Sequence, residues 1–246
     1  MNLSTIPGTL AVEGVPTDSG PVAGSSVRPR LTSARIAGLS LLAMAALAPY
    51  GTVVVLQGLV TPGNAAATTD AIAGSVGTFR LGVAALGLVA ALDVVIAVAL
   101  YRVFAPVSVI GSRIEAWLRV AYAAVYAVAI SRLVGVPGLL NREDSPTEQV
   151  QAQVLQRVEA FHDIWMGALL LFAGHLMVLG YLAYRSRFLP RFLAILLFVA
   201  GLGYAYDTVA GLLVEGRPFP VSTVTFVGEF LLAVWLVVRG RGAVTR

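Results

Sequence analysis

Asp93, Asp207 and Glu229 stand in stretches that are otherwise apolar. At mid-bilayer depth each would cost about 2.5 to 3.5 kcal/mol if left ionised and unpaired. Such carboxyls must be protonated, paired or hydrated, so partners are expected at the same depth. Asp93 is nine residues from Arg102, Tyr122 nine from Arg113, His175 ten from Arg185 and Glu229 ten from Arg239. At a helical rise of about 1.5 Å per residue, all four lie about 14 to 15 Å from one end of their runs. Arg119, one turn nearer that end, can reach either acid, which gives a candidate inner layer of Asp93, Arg119, Tyr122, His175 and Glu229. Asp207 is 16 residues from Arg191. That is about 24 Å along a helix, the level of Arg80, Arg132 and His162, and these four form a candidate outer layer. Gly203, Asp207 and Gly211 share a helix face, a small-residue stripe that favours close packing around the carboxyl.

Two chemistries fit the inner layer. Intramembrane polar groups serve as paired struts that hold helices in register, and buried carboxyls beside a histidine serve as a proton or ion relay. A single metal held by Asp93, His175 and Glu229 is a further alternative, since these are ligand types for zinc or iron. Glu159 and His162 form a Glu-x-x-His pair on one helix face, but a di-iron site needs a second copy and two more glutamates, which the chain lacks. A haem ligated by both histidines fails, because His162 and His175 are 13 residues apart, about 20 Å along one helix. No nucleophile elbow accompanies Ser40, Ser108 or Ser131, and no Gly-rich loop follows a strand, so neither serine hydrolysis nor nucleotide binding is indicated. No cofactor is expected.

The elements that must position these residues follow from composition. Of 246 residues 58% are hydrophobic and 12% charged, with mean hydropathy +0.85; a soluble domain carries about 25% charged residues. The chain is therefore expected to be an integral membrane protein with the lipid bilayer as its partner. All 17 basic residues are arginine, so Schiff-base lysine chemistry is excluded, and the absence of cysteine removes disulfides and thiolate ligands. The arginines gather at the ends of apolar runs, as topology requires, rather than in a nucleic-acid-binding patch.

Six continuous apolar runs predict an all-α, polytopic bundle with transmembrane helices over about 36–59, 79–104, 114–134, 164–184, 192–214 and 221–238. Residues 1–30 read as a disordered tail rich in Pro, Gly, Ser and Thr, 31–240 as the six-helix domain and 241–246 as a C-terminal tail. Pro49 predicts a kink in the first span. Ala65, Ala66 and Ala67 resemble a cleavage site, although the preceding run is too long for a signal peptide. Eleven of the 17 arginines fall in the tail, alternate loops and the C-terminus, while the other loops carry acids, which predicts both termini in the cytoplasm. Ser145, Pro146 and Glu148 have the spacing of a capping box. Val150, Val154, Val158, Phe161 and Trp165 then continue one helix face, predicting an extension over 146–163 that projects from the fourth span, with a break near 156–159 as the alternative.

Several short motifs recur together. They are Arg35-Ile36-Ala37-Gly38, Phe79-Arg80-Leu81-Gly82, Asp93-Val94 with Leu100-Tyr101, Gly174-His175-Leu176 with Gly180-Tyr181-Leu182, Pro190-Arg191, Gly201-Leu202-Gly203-Tyr204 with Asp207, and Gly228-Glu229. In this order, from about residue 35 to 240, the chain resembles the prokaryotic multi-pass membrane family called domain of unknown function 4386. The resemblance implies an integral protein of the prokaryotic cell membrane and brings no catalytic residues. The functional expectation is a transporter-like protein acting on a small molecule or ion through an Asp/His/Glu relay. The alternatives are an intramembrane metal-dependent enzyme and a structural or regulatory protein whose projecting helix docks a partner.

Overall fold

The computed structural model describes residues 27–140, 146–213, 221 and 227–243. Among these there are helices and turns and no strand, as a bilayer requires of a chain that must satisfy its backbone hydrogen bonds within each segment. The helices are α1 (Val27–Pro49, continued by a π-helical stretch Tyr50–Leu56 and a last turn Gln57–Leu59), α2 (Ala65–Gly74), α3 (Val76–Phe104), α4 (Val109–Val134), α5 (Val136–Leu140), α6 (Glu148–Arg185), α7 (Arg191–Leu213) and α8 (Val227–Ala243). Five are long and apolar enough to cross a membrane: Thr32–Leu59, Val76–Phe104, Val109–Leu140, Glu148–Arg185 and Arg191–Leu213. The shorter apolar helix Val227–Val238 completes six.

The six long helices close a ring in chain order. α1 packs on α3, α3 on α4, α4 on α6, α6 on α7, α7 on α8, and α8 returns to α1. The outward faces carry Leu39, Leu81, Trp117, Leu170, Phe192 and Leu202 in the exposed state, a surface suited to acyl chains rather than water. Glycines set the closest approaches. A Cβ at Gly180 of α6 would lie 2.9 Å from the Phe198 nitrogen and 3.0 Å from the Ala194 carbonyl oxygen of α7, and one at Gly201 would lie 2.9 Å from the Ala173 carbonyl oxygen. Of the stripe expected at Gly203, Asp207 and Gly211, Gly203 and Asp207 are buried, while a Cβ at Gly211 would meet nothing within 4 Å.

Proline at position 49 has no N–H to offer the preceding turn. The helix widens after it into the seven-residue π-helical stretch, where the Thr52 hydroxyl donates to the Ala48 carbonyl at 2.8 Å. Gly51 there faces Leu86 and the Gly82 carbonyl oxygen of α3, so the wide turn nests against the neighbouring helix.

Beyond the ring, α2, α5 and the first third of α6 form a cap at one end. α6 has 38 residues, about 57 Å at 1.5 Å per residue, and runs without the break considered at 156–159. Its apolar stripe is spent inside the chain: Val154, Val158 and Phe161 are buried, with α2 and α5 packed on the helix. That removes the feature which favoured a docking helix. The loop segment whose Ala65, Ala66 and Ala67 resemble a cleavage site is α2, opened by Asn64, whose side chain accepts from the Ala67 N–H at 2.9 Å.

Helix ends also differ from expectation. The N-cap of α6 is Thr147, whose hydroxyl accepts from the Val150 N–H at 3.4 Å, while Ser145 lies outside the described residues. Helix α1 begins at Val27, inside the stretch expected to be a disordered tail, whose residues 1–26 lie outside the described residues. Helix α8 runs on to Ala243.

Because Gly180 meets backbone atoms that cannot rotate away, Gly180→Ala should cost about 1–3 kcal/mol by overpacking. Gly167→Ala, where a Cβ meets nothing within 4 Å, should be neutral or gain up to about 1 kcal/mol. Thermal unfolding in detergent checks both, and equal melting temperatures for the two variants would contradict the packing account.

Candidate functional site

Side chains of α3, α4 and α6 meet inside the ring, with Met44 of α1 against them. Asp93 of α3 lies between the small residues Ala90 and Ala97, both buried, which leaves room for a long neighbour. That neighbour is Arg119 of α4, 1% exposed, whose Nη2 is 2.7 Å from Asp93 Oδ1. Its Nη1 is 2.8 Å from His175 Nε2 on α6, its face covers the Phe172 ring with 5.5 Å from Cζ to the centroid, and Nη2 is 3.9 Å from Met44 Sδ on α1. On the far side of the imidazole, His175 Nδ1 is 3.1 Å from Glu115 Oε1 and 3.4 Å from the Glu115 carbonyl oxygen. The result is an unbroken row of side chains, Asp93, Arg119, His175 and Glu115, all essentially unexposed.

A guanidinium has donors and no acceptor. His175 Nε2 must therefore receive the Arg119 N–H, which leaves the imidazole proton on Nδ1, pointing at Glu115. The two contacts together select one neutral tautomer. A second proton on Nε2 would set N–H against N–H at 2.8 Å and force Arg119 out of its seat.

The last two spans join through Tyr204 and Glu229. The Tyr204 hydroxyl on α7 lies against the Glu229 carboxyl on α8, which is half-buried and feels the charges of Arg119 and Asp93. Among the described residues, Asp93 Oδ2, Glu115 Oε2, Ser112 Oγ and Arg119 Nε are buried without a hydrogen-bond partner. Three of these residues sit at positions 112, 115 and 119 of α4, one helix face leading inward from the end that bears Arg113.

Toward the cap the same face changes character. Tyr122 and Tyr126 stack with centroids 5.7 Å apart, and Tyr122 meets Phe172 at 4.8 Å. Phe161 and Trp165 of α6 close around Tyr126 at 6.2 and 6.1 Å. The Trp165 indole N–H donates to the Tyr122 hydroxyl at 3.3 Å. An aromatic plug therefore separates the charged row from the cap, while spare polar atoms lie on the other side.

Of the residues singled out from sequence, Asp93, Arg119 and His175 are in direct contact, Glu229 pairs with Tyr204, whose ring meets Phe172 edge-on at 5.2 Å, and Tyr122 belongs to the plug rather than the row. The metal alternative meets an obstacle: the Arg119 guanidinium sits between Asp93 and His175, and among the described residues no three His, Cys, Asp or Glu side chains converge. Arg80 is exposed, Arg132 lines a separate cleft, and His162 is exposed with its ring edge-on to Trp165. Asp207 is buried and accepts the Val221 N–H at 2.8 Å. Glu115 was missed because it stands second in its apolar run and reads as an interfacial charge. Its spacing to Arg119, Tyr122 and Tyr126, which keeps all four on one face, is the signal that marks it as inward.

Residues 36–240 match the family described as domain of unknown function (DUF4386). The chain belongs to that family. It is also similar to an uncharacterized protein of Archaeoglobus fulgidus, 32% identical over 154 residues, covering 63% of this chain and 80% of that protein. No solved structure matches. DUF4386 membership agrees with the helical membrane bundle and leaves the chemistry to the geometry.

Breaking a buried pair by removing one partner typically costs about 3–5 kcal/mol, because the other charge stays buried alone. Arg119→Leu should lose that much in unfolding experiments in detergent, and adding Asp93→Leu should recover most of it. Additive losses in the double variant would show that the pair is not coupled.

Proposed function

We propose that this DUF4386 protein is a proton-responsive, transporter-like protein of the prokaryotic plasma membrane, with the arginine-rich end of the ring and both termini in the cytoplasm. The observation that carries the proposal is the row Glu115, His175, Arg119 and Asp93, linked by contacts of 3.1, 2.8 and 2.7 Å. Three carboxyls, those of Asp93, Glu115 and Glu229, surround one permanent cation. Ionising all three would leave net negative charge in an apolar medium, so bound protons must balance the centre.

Glu115 is the port. It lies nearest the arginine-rich end, with Ser112 one turn further out and both side chains holding unpartnered oxygen atoms, while the aromatic plug closes the opposite direction. The 3.1 Å contact between Glu115 Oε1 and His175 Nδ1 is the place where a proton would enter the row. Arg119 carries the consequence onward: its Nη1 keeps contact only with an unprotonated His175 Nε2, so protonation there drives the guanidinium toward Asp93 and Glu229. Since those acids sit on α3 and α8, a local proton change becomes a change in how four helices are tied. A small molecule or ion moved by such a bundle would be coupled to that step.

Infrared difference spectroscopy on protein reconstituted in lipid, titrated across neutral pH, reads the carboxyl protons directly. A carboxylic acid band that titrates in the wild type and disappears in Glu115→Gln, with the melting temperature preserved, is the expected result. A wild-type spectrum without any titrating buried carboxyl would reduce the row to a static strut.

A further inference from the structure

Away from the charged row, a cleft of about 430 Å³ opens where α4 ends beside the cap segment of α6, lined by Arg132, Gln153, Gln156, Arg157 and Ala160. Its chemistry is one-sided: two guanidinium groups, two carboxamides and a methyl. Neighbouring acids of α6, Glu159 and Asp163, are not among the lining residues. Gln153, Gln156, Arg157 and Ala160 share one helix face by their spacing, so the polar groups converge rather than radiate.

The Arg157 guanidinium lies over Gly135, the C-cap of α4, in the space that a Cβ there would need. There the negative end of the helix dipole favours a cation. Neither Arg157 nor Arg132 has an ion pair or hydrogen bond among the described residues, although the acids Glu159 and Asp163 are near in sequence. A part-buried, pre-oriented guanidinium beside a second one, with amide donors around it, matches the planar, multi-oxygen acceptor that a phosphate presents.

Depth names the source. Arg132 lies in the last turn of an apolar span whose flanking Val128 and Val134 are 54% and 64% exposed, so the cleft opens where acyl chains give way to headgroups. We propose that this cleft binds the phosphate of an anionic phospholipid headgroup, seated between Arg132 and Arg157 with Gln153 and Gln156 donating to its remaining oxygens. The bound headgroup would tie the cap to the leaflet on that side of the membrane. Free inorganic phosphate shares the chemistry and is the competing source.

Native mass spectrometry of the full chain released from detergent micelles tests this, with phosphatidylglycerol, phosphate-free diacylglycerol and inorganic phosphate as probes. The wild type should retain phosphatidylglycerol and not diacylglycerol. Retention should fall at least tenfold in Arg132→Gln/Arg157→Gln and in Gln153→Glu, the second of which places a carboxylate four residues before Arg157, where it repels the phosphate and competes with it for the guanidinium. Displacement of the lipid by millimolar inorganic phosphate would support the phosphate seat and assign it to a soluble anion. Unchanged phosphatidylglycerol retention in both variants, or no binding of either phosphate probe by the wild type, would overturn the proposal.

Discussion

A guanidinium cannot shed its charge by losing a proton inside a protein. Arg119, 1% exposed in the middle of an apolar ring, therefore imposes its requirements on everything around it. It needs a counter-ion, acceptors for its forked donors and an apolar surface for its face, and it finds them in Asp93, His175 and Phe172. Those residues come from α3 and α6, and the contact with Met44 adds α1. The closed ring is the arrangement that lets one cation touch so many spans.

The same requirement makes the site asymmetric. Burying the guanidinium beside one carboxylate would make a neutral strut, but the structure adds Glu115 on one side and Glu229 on the other, with His175 in a single tautomer between. Aromatic side chains fill the space toward the cap, where Tyr122, Tyr126, Phe161 and Trp165 exclude water. Unpartnered oxygens of Glu115 and Ser112 lie the other way. A polar approach on one side and a dry plug on the other is a shape that stability alone does not require.

Much of this was legible in the chain. Continuous apolar runs gave the helices because a bilayer leaves the backbone no other satisfied state, and the cost of a buried charge singled out Asp93, Asp207 and Glu229, with His175 and Arg119 as partners near the depth of Asp93. Asp93 and His175, counted to one depth, and Arg119, one turn from it, are in direct contact. Equal depth says nothing about which way a side chain points around the helix axis, and Arg80, Arg132 and His162 point outward. Glu115 stands one residue inside its apolar run, where sequence alone does not separate an interfacial charge from a buried one, and helix packing buries it. The cap was the least legible part: α2 is ten residues, mostly alanine and threonine, without a long apolar run, and it packs on α6.

The account stands on the protonation state that Arg119 imposes on its neighbour. The chain has two histidines, so nitrogen NMR on ¹⁵N-histidine-labelled His162→Gln protein in lipid observes His175 alone. At neutral pH it should show one protonated nitrogen, Nδ1, with an unprotonated Nε2 accepting from Arg119. A doubly protonated ring, or a proton resting on Nε2, would mean that Arg119 and His175 are not in contact in the membrane and that the row linking Glu115 to Asp93 does not exist.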